Sequence, residues 1–313
     1  MSETRDQLAD MADGLFADLR GDAFDTAWRA VEDAGFGLLL VPEEQGGFGG
    51  DWGDVAAVMR LAGKHALALP LGEHIVARHL LHLAEIEHEG LISLACGASV
   101  PWGRAASAVL VEHDGALALA HGDFAEGLSP AGEPRDFLTV TDARPIGLTA
   151  DLTELTAFLR VCQTAGALDA ALALAIDHTG QREQFGRPLS KFQSVQQSIA
   201  LLAIEAAAVN CAAQGAAAAL DRHGASGGAR FEIGAAKLRA NIAIASGNAL
   251  AHQVHGAIGF TQDYPLHALT RRMMGWRSEG GNDAYWSRRI GAQAMEWGGA
   301  GLWDQMTRRT DPA

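Results

Sequence analysis

Apolar residues recur at helical spacing in two zones of this chain and fall into short runs punctuated by Gly, Pro and Asp in the zone between them. From about Glu3 to His88, segments such as Ala23 to Ala34 and Asp54 to Leu67 show the helical period. They are separated by "GFGLLLVPEEQGGFGGDWG", whose Pro42 and paired glycines predict a long turn. From Leu91 to about Leu148 the period shortens, and "LISLACGAS", "AASAVLVEHDGALALAHG" and "RDFLTVTDA" read as short strands. Asp114-Gly115, flanked by apolar runs, predicts a tight hairpin. From Asp151 the period is helical again in long pieces: Leu152 to Thr179, Phe192 to Arg222, Arg230 to His255, Leu266 to Gly275 and Asp283 to Glu296. Alanine dominates the second and third, which lets helices approach closely at little entropic cost. The expected layout is a helical domain over 1–90, a small β domain over 91–150 and a bundle of about four helices over 151–313.

Composition narrows the function classes. The chain has 313 residues, 48% hydrophobic and 20% charged, enough for two or three packed units. A formal charge of -14 disfavours a surface that tracks nucleic-acid phosphates, which requires clustered Lys and Arg. Cys96, Cys162 and Cys211 lie far apart without metal-ligand spacing and are expected to be buried thiols in a reducing compartment. "MSETRDQLADMADG" is polar and acidic where a secretory signal is basic and then apolar. The most apolar window, Phe158 to Ile176, carries Arg160, Gln163 and Asp169, which argues against a membrane span. A cytoplasmic protein is expected.

Two stretches break the helical pattern with residues suited to chemistry. "HTGQREQFGRPLSKFQSVQQ" (His178 to Gln197) places Arg182 before a Gly/Pro turn, with a new helix expected from Ser190 as N-cap. Arg182 offers a forked donor to a phosphate, Gln184 and Gln193 offer amides and Phe185 a stacking face. The alternative is a bundle loop with solvated arginines and Phe185 as a core plug. In "AHQVHGAIGFTQDYPLHALTRRM" (Ala251 to Met273), Gly256 suits a helix C-terminus in the left-handed region and Gly259 a close approach. His252 and His255 lack a nearby carboxylate and are expected to be packed and hydrogen bonded.

Three segments together resemble the acyl-CoA dehydrogenase family, and the resemblance spans most of the chain. "WRAVEDAGFGLLLVPEEQGGFGGDWGDVAAVM" (Trp28 to Met59) is similar to its N-terminal helix and Gly-rich loop. "REQFGRPLSKFQSVQ" (Arg182 to Gln196) is similar to its Arg-x-x-Phe-Gly flavin segment, and "QVHGAIGF" (Gln253 to Phe260) to its Gln-x-x-Gly-Gly-x-Gly-Phe turn. The resemblance implies a mostly α fold with a reduced middle β domain and a C-terminal bundle. It also implies FAD shared between subunits: Arg182 on the pyrophosphate, Phe185 against the dinucleotide, Gln184 and Gln193 nearby, and Gln253 with Gly256 at the adenosine end. Ala257 replaces the family's second glycine.

The same resemblance implies α,β-desaturation of an acyl-CoA thioester, in which a carboxylate takes the α-proton while hydride leaves the β-carbon. Glu279 in "MMGWRSEGGNDAYW" matches the catalytic base, and Met274, Trp276 and Trp286 are expected to form apolar walls that raise its pKa. The alternative makes Glu279 a solvated loop residue beside an Asn282/Asp283 cap. The middle zone is about half the family's usual size and shows no counterpart of the Thr/Ser-rich strand that holds the flavin ring. The expectation is therefore one subunit of a heteromeric enzyme, of the short type found in bacterial steroid degradation. A homologous partner would complete an α2β2 heterotetramer acting on a bulky acyl-CoA and passing electrons to an electron-transfer flavoprotein. A non-catalytic structural subunit, or a homomeric flavin oxidase or monooxygenase, are the alternatives.

Overall fold

Two helices cross where glycine faces backbone. In the computed structural model, which describes residues 3–310, α3 (Trp52–Lys64) lies against α5 (Leu152–Gln181) at Gly63 and Gly166. A methyl group on Gly63 would sit 1.9 Å from the Gln163 carbonyl oxygen, and one on Gly166 would sit 1.7 Å from that of Arg60. No side chain fits at either point, so the pair sets how closely the N-terminal helices dock on the bundle. Asp51 starts α3 by accepting from the Asp54 N–H at 2.8 Å while Asp54 accepts from the Asp51 N–H at 3.0 Å, a reciprocal cap.

The N-terminal helices are completed by α1 (Glu3–Asp18), α2 (Phe24–Asp33) and α4 (Leu71–Leu83). The Gly-rich stretch between α2 and α3 is a turn, as its composition predicts, tightened by two short 3-10 segments at Phe36–Leu38 and Glu43–Gln45.

Five strands follow: β1 (Ile92–Leu94), β2 (Ser99–Pro101), β3 (Ala108–His113), β4 (Ala116–Ala125) and β5 (Arg135–Pro145). They form one sheet in the order β1-β3-β4-β5-β2, antiparallel except for the β1–β3 pair. The β3–β4 hairpin turns at Asp114 (φ 51°) and Gly115 (φ 80°), the two positive values that a tight turn of this kind needs. Strand alternation divides the apolar residues: Ala108 and Leu110 join the main core, while Val109 and Val111 join a smaller cluster on the opposite face. The main core runs without interruption from α1 through this sheet face to the bundle.

The bundle holds α5, α6 (Gln193–His223), α7 (Arg230–His255), α8 (Leu266–Trp276) and α9 (Asp283–Thr310). A two-residue hairpin, β6 (Glu183–Gln184) with β7 (Arg187–Pro188), links α5 to α6. The arrangement is mostly helical with a small β sheet, as the periodicity predicts. Ser190 is not the N-cap of α6; it lies in a 3-10 turn, Leu189–Lys191, and Phe192 occupies the cap position without a side-chain bond. Helix α9 extends past Glu296, with a break at Gly298 (φ 68°). Of the cysteines only Cys162 is buried, its thiol pKa pushed up by that burial; Cys211 is exposed on α6 and Cys96 half-buried. Helices α5 and α6 are both apolar enough over 18 residues to cross a bilayer; α5 is instead mostly buried in the protein, whereas α6 leaves Leu201 and Ile204 exposed.

Candidate functional site

Four of the seven sequence-predicted site residues meet at one cavity. Helix α5 ends at Arg182, whose N–H donates to the His178 carbonyl at 2.9 Å and whose own carbonyl accepts from the Leu189 N–H at 2.8 Å. The first bond caps the end of α5 and the second closes the β6–β7 hairpin that follows it, beside the end of α7. The resulting cavity, of about 800 Å³, is lined by Arg182, Gln184, Gln253 and Gly256, together with His178 and His255. Among the described residues no carboxylate lines it. Gly256 ends α7 with φ 65° and ψ -143°: the positive φ is realised, although the residue is extended and not in the left-handed helical region. Ala257 also lines the cavity.

Phe185 and Gln193 do not line it. Phe185 is 91% exposed, with φ 51° at the hairpin tip and its ring edge-on to Phe192 at 6.1 Å, so it is not a core plug. Gln193 is exposed at the first turn of α6. Phe185 at the hairpin tip and Gln193 at the start of α6 are thus both left open to solvent.

Glu279 lies in a different setting from the apolar one expected. Its Oε1 accepts from Arg135 Nε at 3.1 Å, and its Oε2 from Arg135 Nη2 at 3.0 Å and Arg160 Nε at 2.7 Å. Arg160, 2% exposed, also donates to Gln163 Oε1 at 2.7 Å and to Glu73. Two carboxylates and two guanidinium groups thus neutralise one another between α4, β5, α5 and the α8–α9 connection. Burial alone would raise the Glu279 pKa, but Arg160 and Arg135 outweigh it and leave the group down at about 2. The raised pKa expected of a general base is therefore replaced by a depressed one. Trp276 and Trp286 are buried nearby as expected, whereas Met274 is exposed. The Trp286 indole N–H donates to the Gly280 carbonyl at 2.7 Å. Gly280 itself (φ 65°) leaves no room for a Cβ, which would lie 2.4 Å from the Ala157 nitrogen.

A second cavity, of about 1090 Å³, opens between α1, α2, the α3–α4 connection, the sheet, α5 and α8. Phe16, Leu19, Phe24, Leu174 and Leu269 give it an apolar floor, and Glu279 is not among its lining residues. The β4–β5 connection closes against α8 beside it: Arg271 Nε donates to the Pro130 carbonyl at 2.8 Å and Arg272 Nε to Glu133 at 2.7 Å.

The long bundle, the hairpin after its first helix and the Gly-ended third helix have a counterpart among known proteins. Residues 149–295 match the model of the acyl-CoA dehydrogenase C-terminal domain. The bundle is an acyl-CoA dehydrogenase C-terminal domain. Around it, the whole chain has the acyl-CoA dehydrogenase fold: it superposes on a chain of the ChsE4-ChsE5 complex from Mycobacterium tuberculosis with a TM-score of 0.81 at 21% identity, covering 95% of this chain and 98% of that one. A structure described as the Tcur3481-Tcur3483 steroid ACAD G363A variant gives 0.81 at 21% identity, covering 94% and 98%. In sequence, the acyl-CoA dehydrogenase IpdE2 of Mycobacterium tuberculosis is 26% identical over 265 residues, 80% of this chain and 81% of that protein.

Sequence reasoning missed Arg135 and Arg160 as partners of Glu279, and Glu73 as a further partner of Arg160. Arg160 in the middle of an apolar helix was the available signal, since such a charge needs a partner once buried. His178 and His255 were likewise outside the predicted site. His255 is packed and hydrogen bonded as expected, to the Ala251 carbonyl at 2.7 Å and Tyr264 Oη at 3.1 Å, yet it also faces the cavity.

Proposed function

We propose that this chain is one subunit of an FAD-dependent acyl-CoA dehydrogenase, completed by a homologous partner that holds the flavin ring and the reacting thioester. The observation that carries this reading is the contrast between the two sites. Arg182, Gln184, Gln253 and Gly256 converge on a cavity without carboxylates, suited to the anionic and adenosine parts of a dinucleotide. Glu279, by contrast, has both carboxylate oxygens committed to guanidinium groups. When bound, FAD supplies the acceptor for the β-hydride; this chain's part is to hold its phosphates and adenosine and to shield that region from water. Phe185 and Gln193, exposed on the hairpin and at the start of α6, would reach the partner's share of the cofactor.

In this reading Glu279 is an ion-pair anchor that fixes the sheet against α5, and the α-proton is taken by a carboxylate of the partner. The docking of the β4–β5 connection on α8 is consistent with the same division of labour, because it closes one side of the space between the sheet and the bundle. Exposed Leu201 and Ile204 on α6 and Trp303 on α9 supply apolar surface for the partner, in an α2β2 assembly. The likeness to a steroid ACAD supports a bulky, steroid-derived acyl-CoA as substrate; an electron-transfer flavoprotein as acceptor and a cytoplasmic setting complete the proposal.

The test is flavin absorbance per protomer for the chain purified alone and with a co-expressed homologous subunit, each with and without Arg182→Ala. We expect the chain alone to be colourless and the complex yellow, with flavin lost on the substitution. A stoichiometrically yellow lone chain would overturn the division of labour and point to a homomeric enzyme.

A further inference from the structure

The proposed flavin half-site has an electrostatic problem that Arg182 alone does not solve. Helices α5 and α7 both end at its cavity, so the partial negative charge of two helix C-termini faces the place where phosphates would lie. A second cation in the last turn of one of them would offset this. His178 stands there, one turn before Arg182 on α5, and lines the same cavity.

His178 is held but not used. Its ring stacks on His255 with centroids 4.9 Å apart and planes 23° apart, and meets the edge of Tyr264 at 6.2 Å. The two nitrogens of His255 are committed to the Ala251 carbonyl and Tyr264 Oη, so His255 is a fixed plate. Neither ring nitrogen of His178 hydrogen-bonds to another described residue. We propose that His178 is a second anion-contacting residue of the half-site, binding the cofactor's pyrophosphate beside Arg182 from its position on the His255 plate. This rests on the proposed half-site and adds a residue to it.

The charged and titratable groups around His178 are Asp177 and Arg182 on α5, His255 on α7 and Tyr264 beyond it; those contributed to the cavity by α6, Ser194 and Ser198, are uncharged. Burial, then His255 and Arg182, lower the His178 pKa, so the ring of the free protein is neutral near pH 7. A bound pyrophosphate favours the protonated ring. Binding therefore takes up a proton, and affinity rises as pH falls through the titration range of His178. A rise of one pKa unit on binding corresponds to about a tenfold gain in affinity.

FAD is a suitable probe, since its pyrophosphate keeps its charge across this range. The full chain is titrated with FAD up to millimolar concentrations from about pH 5.5 to 8, while the imidazole C2–H resonance of His178 is followed by NMR. We expect FAD to raise the His178 titration midpoint and to bind about tenfold more weakly at the alkaline end. His178→Phe, which keeps a ring on the His255 plate, should bind at all pH values as weakly as the unsubstituted chain does at pH 8. Arg182→Ala should weaken binding at every pH. Affinity that ignores pH, a His178 resonance unmoved by FAD, or pH dependence retained in His178→Phe would overturn the role of His178 while leaving the half-site standing. FAD binding that is indifferent to Arg182→Ala would overturn both.

Discussion

Glu279 illustrates how one side chain's chemistry is decided by its neighbours. A carboxylate that accepts three hydrogen bonds from two arginines is stabilised as an anion, and the same contacts deprive it of basicity. Replacing it by glutamine leaves Arg160, almost without solvent access, with Glu73 as its one carboxylate partner and Arg135 without its bidentate partner. Glu279→Gln is expected to lower the free energy of unfolding by about 3–5 kcal/mol, the usual cost of orphaning a buried charge. Denaturant titration measures this directly. Unaltered stability, together with lost desaturation in the reconstituted complex, would return Glu279 to the role of base. At this scale the sequence carried the residue types but not their partners: Arg135 and Glu279 are brought together across 144 positions and Arg160 and Glu279 across 119.

Among the secondary-structure elements, the crossing of α3 and α5 depends on missing side chains. Alanine is favoured over glycine in a helix interior by about 1 kcal/mol. At Gly166 that gain is outweighed, because the added methyl group would overlap the Arg60 carbonyl. Gly166→Ala is expected to destabilise the chain by about 1–3 kcal/mol through a forced shift of the two helices. Gly215, in α6 with open space around its would-be Cβ, is the matched control: Gly215→Ala should stabilise by about 0.5–1 kcal/mol. Thermal melts of the two variants should move in opposite directions. The β3–β4 hairpin was legible in the sequence because Asp-Gly tolerates the two positive φ values the turn demands. The start of α6 was not: Ser190 has the chemistry of a cap, but the chain spends one more turn in 3-10 geometry before the helix begins.

Across the whole molecule, the ion-pair network ties acid stability to the junction of sheet and bundle. The Glu279 pKa is about 2 in the folded chain, below its ordinary value of 4.5. The unfolded chain therefore takes up this proton first as pH falls, so the stabilisation is complete above about pH 4.5 and is lost between there and about pH 2. Unfolding measured across that window should show a steep loss of stability that is flatter in Glu279→Gln. The apolar surface left on α6 and α9 gives a second expectation at this scale: co-expression with the homologous subunit should raise the melting temperature of this chain by mass action.

The sequence by itself determined where helices and strands run, the hairpin at Asp114-Gly115 and the two segments that carry Arg182 and Gln253. Those features follow from backbone preference and periodicity, which act over a few residues. Only the tertiary structure decided that Arg182, Gln184, Gln253 and Gly256 share a cavity while Phe185 and Gln193 stand outside it. It likewise decided that Glu279 is neutralised and that His178 stacks on His255 beside Arg182. Charge and pKa depend on distances through space between groups far apart along the chain, and those distances exist only once the helices and the sheet have packed.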